Sequence, residues 1–410
     1  MIIKKIKAKV GKNCRGEDSI YLMVKTSNGK YEASAPSGAS VGKYEVCALP
    51  KKGIEKAIEF INKNLSDELK NYEMTSFNDF KKIEDIIKKY DETENLEKVG
   101  GNTVIALEFA LIKALSKGKI WSFLDKNAKQ VSRPLGNCVG GGKHINKKSP
   151  DIQEFLLVSL DAKNFSEARK ASDQIHSLFY KKLKIRNKDF DGSMTCEGGW
   201  SPELSNLEVL PLLKECIDEI NLKNNFKVRI GLDVAANSLY DGKHYCYKNY
   251  SKEQKIKKLT KNEQIKFMKE LVEKYNICYL EDPLYEDDFD GFAKLKQEIG
   301  KVCLICGDDL VTTNVKRLKK AIEKKSVNSV IVKPNQIGSL IKTKEFIDLA
   351  KKNKIVCVMS HRSGATIDAT ISHLAIGWNC EIAKFGIYGK ERKVKLDELE
   401  KIEYEIKKKR

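Results

Sequence analysis

From residue 281 onward, short apolar runs of the chain end at nearly even intervals in groups able to do chemistry: Glu281 with Asp282, Asp308 with Asp309, Lys333, His361 with Arg362, and Lys384. The steps between these groups are 27, 25, 28 and 23 residues, each about the length of one strand plus one helix. Upstream, KVRIGLD has the same form and ends at Asp233. Amphipathic segments such as NEQIKFMKELVEKY, VKRLKKAIEK and LIKTKEFIDLAKK lie between the runs. Apolar strands alternating with such helices predict an α/β fold of parallel βα units, enough of them to close a barrel. In a closed barrel the carboxyl ends of successive strands surround one pocket, so the spacing alone predicts that these separated groups meet.

The first part of the chain reads differently. Ile6, Ala8 and Val10 alternate with Lys5, Lys7 and Lys9, and IYLMVKT and KYEASA follow across a Ser-Asn-Gly turn, which predicts an antiparallel meander. From about 51 to 118 the spacing becomes helical, and TVIALEFALIKAL is apolar enough to require a buried helix. Strands followed by helices describe an α+β domain. The pattern lapses around 120–135, and the expected division is residues 1–130 for this domain and 131–410 for the barrel.

Composition removes several function classes. The net charge of +19 invites a nucleic-acid reading, but only nine of the 76 basic residues are Arg and the lysines are spread among 57 acids. Base and phosphate readout favours clustered Arg, so nucleic acid is not the expected partner. No stretch reaches the roughly 18 uninterrupted apolar residues of a membrane span, and the expected compartment is the cytosol. The eleven cysteines are odd in number and scattered, several within apolar runs, which reads as reduced, buried thiols. Cys303 and Cys306 form a C-x-x-C pair, but inside a predicted strand such residues point to opposite faces.

Asp233, Glu281 and Asp308 form an all-oxygen set from three strand ends, which selects a hard cation of the Mg²⁺ type, although each also fits a helix cap. Lys333 ends NSVIVK in the same layer, where a nearby cation would disfavour its ammonium form and poise it as a general base. Ser360-His361-Arg362-Ser363-Gly364 gathers donors suited to phosphate or carboxylate. His144 follows three glycines on a loop that could reach an anionic substrate, and Glu154 and Glu197 are candidate acid–base carboxylates, Glu197 on a loop before Gly198-Gly199.

Eight segments carry a family resemblance: Ala35-Pro36-Ser37-Gly38-Ala39-Ser40, Gln153-Glu154-Phe155, Glu197-Gly198-Gly199, Gly231-Leu232-Asp233-Val234-Ala235, Leu280-Glu281-Asp282-Pro283, Gly307-Asp308-Asp309-Leu310, Lys333-Pro334-Asn335-Gln336-Ile337-Gly338 and Ser360-His361-Arg362-Ser363-Gly364. In their order and spacing the chain resembles the enolases over essentially its whole length. The resemblance implies a (β/α)8-type barrel whose second strand and first helix run in unusual directions, with an N-terminal α+β capping domain. It implies the reversible dehydration of 2-phosphoglycerate to phosphoenolpyruvate in glycolysis and gluconeogenesis. By similarity, Lys333 removes the C2 proton, and Glu197, with Glu154 beside it, protonates the departing hydroxyl. Asp233, Glu281 and Asp308 would hold one Mg²⁺, and Ser40 would help to hold a second. Lys384 would face the substrate carboxylate, His361, Arg362 and Ser363 would take the phosphate, and His144 would sit over the substrate. A cytoplasmic homodimer or higher homo-oligomer is implied.

The chain departs from the family pattern beside these groups: Cys196 stands where Asp is usual, Gly140 where Asn is usual, and Ala365 and Ile367 where acids are common. His144 is one residue farther from Gln153 than the pattern predicts. Two alternatives accompany the resemblance, a related enzyme acting on another carboxylate and a weakened paralogue used for binding.

Overall fold

The fold, taken from a computed structural model, describes residues 1–38, 42–142, 145 and 148–409. Ser40 and His144 lie outside the described residues.

Three antiparallel strands open the chain: β1 (Ile3–Lys12), β2 (Asp18–Thr26) and β3 (Gly29–Ser34), in the order β1-β2-β3. Alternation in β1 buries Ile3, Ile6 and Ala8 and leaves the lysines in water, as the pattern predicts. Val10 is the exception, 40% exposed toward the end of the strand. The helix Gly101–Leu115 packs on β2 and β3 and is buried on almost every side, because Pro334–Ile337 of the second half touches its other face. A helix enclosed in this way must be apolar all round, and Glu108 is the only acid within it.

The remainder forms a closed eight-stranded barrel: β4 (Arg133–Gly140), β5 (Glu154–Val158), β6 (Arg229–Asp233), β9 (Tyr279–Glu281), β10 (Leu304–Gly307), β11 (Ser329–Val332), β12 (Val356–Ser360) and β13 (Ile382–Lys384). A small hairpin, β7 (Tyr245–Tyr247) and β8 (Lys257–Leu259), stands apart. Leu135, Leu156, Val158, Cys278, Tyr279, Cys306, Ile331, Val358 and Ile382 form a separate apolar cluster drawn from the strands, so the barrel is filled. Cys306 belongs to that cluster and Cys303 to the larger core around it, as the period of two requires.

Within the barrel all the strand pairs are parallel except the two made by β5, which runs antiparallel to β4 and β6. Uniform βα alternation would have made β5 parallel. The reversal agrees with the resemblance and has a direct consequence for the site: the first residue of β5, Glu154, pairs in register with Asp233, the last residue of β6. A strand start is thereby placed on the rim where the other strands end.

Candidate active site

One cavity at that rim is lined by Gln153, Glu154, Glu197, Asp233, Asp308, Asp309, Lys333, Lys384, Gly38, Glu45 and the run Ser360–Ser363. Asp233 and Glu281 are register partners on neighbouring strands, and Asp308 follows β10, which pairs with β9 on the far side.

Lys384 ends β13 and reaches across the barrel mouth. Its Nζ lies 2.8 Å from Glu154 Oε2, 2.9 Å from Asp233 Oδ2 and 2.8 Å from Glu281 Oε2. Burial opposes a charged lysine, yet Asp233, Glu154 and Glu281 hold it as an ammonium, well above the ordinary lysine range. Burial in turn pushes Glu154, Asp233 and Glu281 upward, with neighbouring acids adding to the effect and Lys384 opposing it.

Lys333 begins the helical turn Pro334–Ile337, and its backbone N–H donates to Thr313 Oγ1 at 2.9 Å. Its Nζ donates to Asp308 Oδ2, while Gln336 Nε2 donates to Asp308 Oδ1 at 2.9 Å. The side chains of Lys333 and Asp308 are each 13% exposed. Despite burial, Asp308 raises Lys333 above its ordinary value. Direct contact with the Asp308 carboxylate favours the ammonium form, the opposite sign from the nearby cation on which a poised Lys333 depends.

Glu197 sits on a tight loop. Gly198 has φ +82°, and an added Cβ would meet Tyr388 O at 2.3 Å, so only glycine serves there. The loop is held by Thr195 N–H donating to Gly199 O at 2.8 Å and by His176 Nε2 donating to Gly198 O at 2.9 Å. With Gly198 O as acceptor, the neutral His176 carries its proton on Nε2, and burial lowers this imidazole to about 4. Glu197 Oε2 lies 3.7 Å from His361 Nε2. Burial keeps His361 neutral, well below the usual histidine range, with Arg392 adding to the effect.

The donor run after β12 is fixed from both halves of the chain. Ser37 and Gly364 exchange backbone hydrogen bonds of 3.0 and 2.9 Å, and Arg15 Nη1 donates to Ser363 Oγ at 2.5 Å. Arg392 Nη2 donates to Ser363 O at 2.9 Å. Arg362 donates to Glu45 and to Asn335 Oδ1. Arg15, Glu45 and Arg392 were not singled out from sequence, since none ends an apolar run; Glu45 and Arg362 are 317 positions apart.

The donor set fits a divalent cation. Glu281 Oε1 is buried without a hydrogen-bond partner among the described residues, beside two further acids and no thiolate or imidazole ligand. Among the described residues the group of three ligand-type oxygens within 4.8 Å of one another is Asp282, Asp308 and Asp309, so of the expected set Asp308 alone belongs to it. Asp282 is partly committed to structure, because its two oxygens accept the backbone N–H groups of Asp308 and Asp309. Burial and the adjacent Asp308 raise Asp309 to about 7.

Of the sequence-derived candidates, Glu154, Glu197, Asp233, Asp308, Lys333, His361, Arg362, Ser363 and Lys384 line the cavity, and Glu281 contacts it through Lys384. The Gly140 departure has a local cause: a Cβ there would lie 2.3 Å from Thr195 Cγ2.

Residues 3–123 match the family description "Enolase, N-terminal domain", and residues 128–410 match "Enolase, C-terminal TIM barrel domain". Among similar proteins named Enolase, that of Methanosphaera stadtmanae is 40% identical over 396 residues, covering 96% of this chain and 94% of its own. That of Methanothermobacter thermautotrophicus is 39% identical over 411 residues, covering 99% and 97%. That of Archaeoglobus fulgidus is 36% identical over 407 residues, covering 98% and 97%.

Proposed function

The chain belongs to the enolase family, and on that premise we propose how its residues divide the reversible dehydration of 2-phosphoglycerate to phosphoenolpyruvate, the reaction of this hydro-lyase family. The observation that carries the reading is the gathering of two lysines, six acids and the His361–Ser363 run around one cavity.

Lys333 Nζ takes the C2 proton. A proton beside a carboxylate is very weakly acidic, since its removal adds charge to a group already anionic. The family uses a divalent metal, and Mg²⁺ held by Asp233, Glu281 and Asp308 would absorb that charge and relieve Lys333 of the Asp308 charge that keeps it an ammonium. Thr313 holds the Lys333 backbone and Gln336 holds Asp308, the carboxylate that Lys333 touches. Lys384, already suited to carboxylate oxygens, faces the substrate carboxylate. Arg362, Ser363 and His361 take the phosphate.

Glu197 gives a proton to the departing C3 hydroxyl, and Glu154 keeps that proton available. Two buried carboxylates side by side cannot both ionise cheaply, and the Glu197 charge is among the causes that raise Glu154. His176 and Gly198 hold the loop that aims Glu197.

Ser40 is proposed for a second Mg²⁺ and His144 for the substrate, on resemblance alone. The division at 130/131, a homodimer or higher homo-oligomer, a cytoplasmic setting and a place in glycolysis and gluconeogenesis belong to the same proposal. Among the described residues no helix is long and apolar enough to cross a membrane. Neither another carboxylate substrate nor a binding-only role is favoured by a contact in the cavity.

The test is turnover. Purified protein with Mg²⁺ is expected to convert 2-phosphoglycerate to phosphoenolpyruvate, followed by the product's ultraviolet absorbance, and Lys333→Ala and Glu197→Gln each to abolish it. Full activity in the lysine variant would remove the proposed base.

A further inference from the structure

Arg362 is 5% exposed, and a buried guanidinium needs its fork filled by well-placed acceptors. Glu45, on the turn after the capping-domain sheet, supplies two. Its Oε2 accepts from Nη1 at 2.8 Å and its Oε1 from Nη2 at 3.2 Å. The Glu45 side chain is itself 5% exposed. Oε1 also accepts the backbone N–H of Gly42 at 2.9 Å, so one carboxylate ties a capping-domain turn to a barrel residue. Asn335 Oδ1 takes a further Nη1 bond at 3.2 Å. Both Glu45 and Arg362 line the cavity.

We infer that Glu45 is a positioning residue for substrate binding: it sets the plane of the Arg362 guanidinium at the cavity wall and makes phosphate recognition depend on the capping-domain turn 42–45. This rests on the reading that Arg362 takes the phosphate. A carboxylate offers two acceptor oxygens to three N–H groups here. Glutamine at 45 would offer one oxygen and turn an NH₂ toward the other donors, so the guanidinium must rotate. The chemistry at C2 and C3 does not involve Glu45, so the loss falls on binding.

The experiment uses the full-length protein with saturating Mg²⁺. Steady-state kinetics on 2-phosphoglycerate, the inhibition constant of inorganic phosphate and the Tm are measured for Glu45→Gln, Glu45→Asp, Arg362→Lys and the double variant Glu45→Gln/Arg362→Lys. Glu45→Gln is expected to raise KM and the phosphate inhibition constant about tenfold with kcat changed less than about threefold. Glu45→Asp, which keeps the charge and both oxygens, is expected to recover most of that loss. In the Arg362→Lys background, Glu45→Gln is expected to add little, because the group it positions is gone. A KM within about twofold of the parent in Glu45→Gln, or its full effect repeated in the lysine background, would overturn the inference alone. An unchanged KM and phosphate constant in Arg362→Lys would overturn the phosphate assignment, and the inference with it.

Discussion

Replacing Lys384 by Met leaves the volume nearly intact and removes one charge from the barrel mouth. Three carboxylates lie 2.8 to 2.9 Å from that ammonium, and none of their side chains is more than 8% exposed. Removing one member of a buried charge set costs about 3–5 kcal/mol, because the partners remain uncompensated. At about 2.1 cal/mol/K of unfolding entropy per residue, a 410-residue chain converts that cost into a Tm lower by about 4–6 °C. Two features distinguish this deficit from an ordinary core defect. Without the ammonium, acids that burial already raises move up further, so their stability cost is absent at low pH and appears as pH rises through the new values. Mg²⁺ should also repair it, since an ion bound only by the folded state stabilises by about 2.7 kcal/mol at 100 times its Kd. Scanning calorimetry in EDTA and in Mg²⁺, at pH 6 and pH 8, gives the answer. A deficit equal at both pH values and untouched by Mg²⁺ would refute the argument that these acids share their counter-charge.

Three other predictions follow from buried groups. His176 titrates at about 4 instead of 6.5, so its contribution of about 3 kcal/mol is complete above pH 6.5 and is lost as pH falls toward 4; urea unfolding of His176→Gln should lack that part of the pH slope. Glu108 is fully buried, accepts from Leu340 N–H at 2.7 Å, and is raised well above the usual carboxylate range by burial and by Glu84. That stability is present below about 4.5 and lost as pH rises, so Glu108→Gln should gain in Tm over the parent at pH 8 and not at pH 4.5; parallel profiles would exclude the assignment. Gly140→Ala should cost about 1–3 kcal/mol in urea unfolding through its contact with Thr195 Cγ2, and Thr195→Ser should recover part of it while keeping the hydroxyl that accepts Glu197 N–H.

The strand-tip groups were legible because a parallel strand exposes its last residue at the rim, so an apolar run of four or five residues points to its own functional end. Asp233, Asp308, Lys333, Arg362 and Lys384 were found in that way and do line one cavity. Glu154 could not be, since it begins its strand; only the antiparallel direction of β5 brings it opposite Asp233. Glu45, Arg15 and Arg392 were missed for a different reason. They act on Arg362 and Ser363 from loops hundreds of residues away or, for Arg392, from a helix whose charges look solvated in sequence. The direct contact of Lys333 with Asp308 was likewise not legible, because spacing along the chain cannot supply it.

The division of labour between Lys333 and Glu197 is tested most directly by proton exchange at C2 of 2-phosphoglycerate in deuterium oxide, followed by NMR alongside product formation. Glu197→Gln should still wash the C2 proton into solvent while forming no phosphoenolpyruvate, and Lys333→Ala should do neither. Exchange at the parent rate in Lys333→Ala would contradict the assignment of the base.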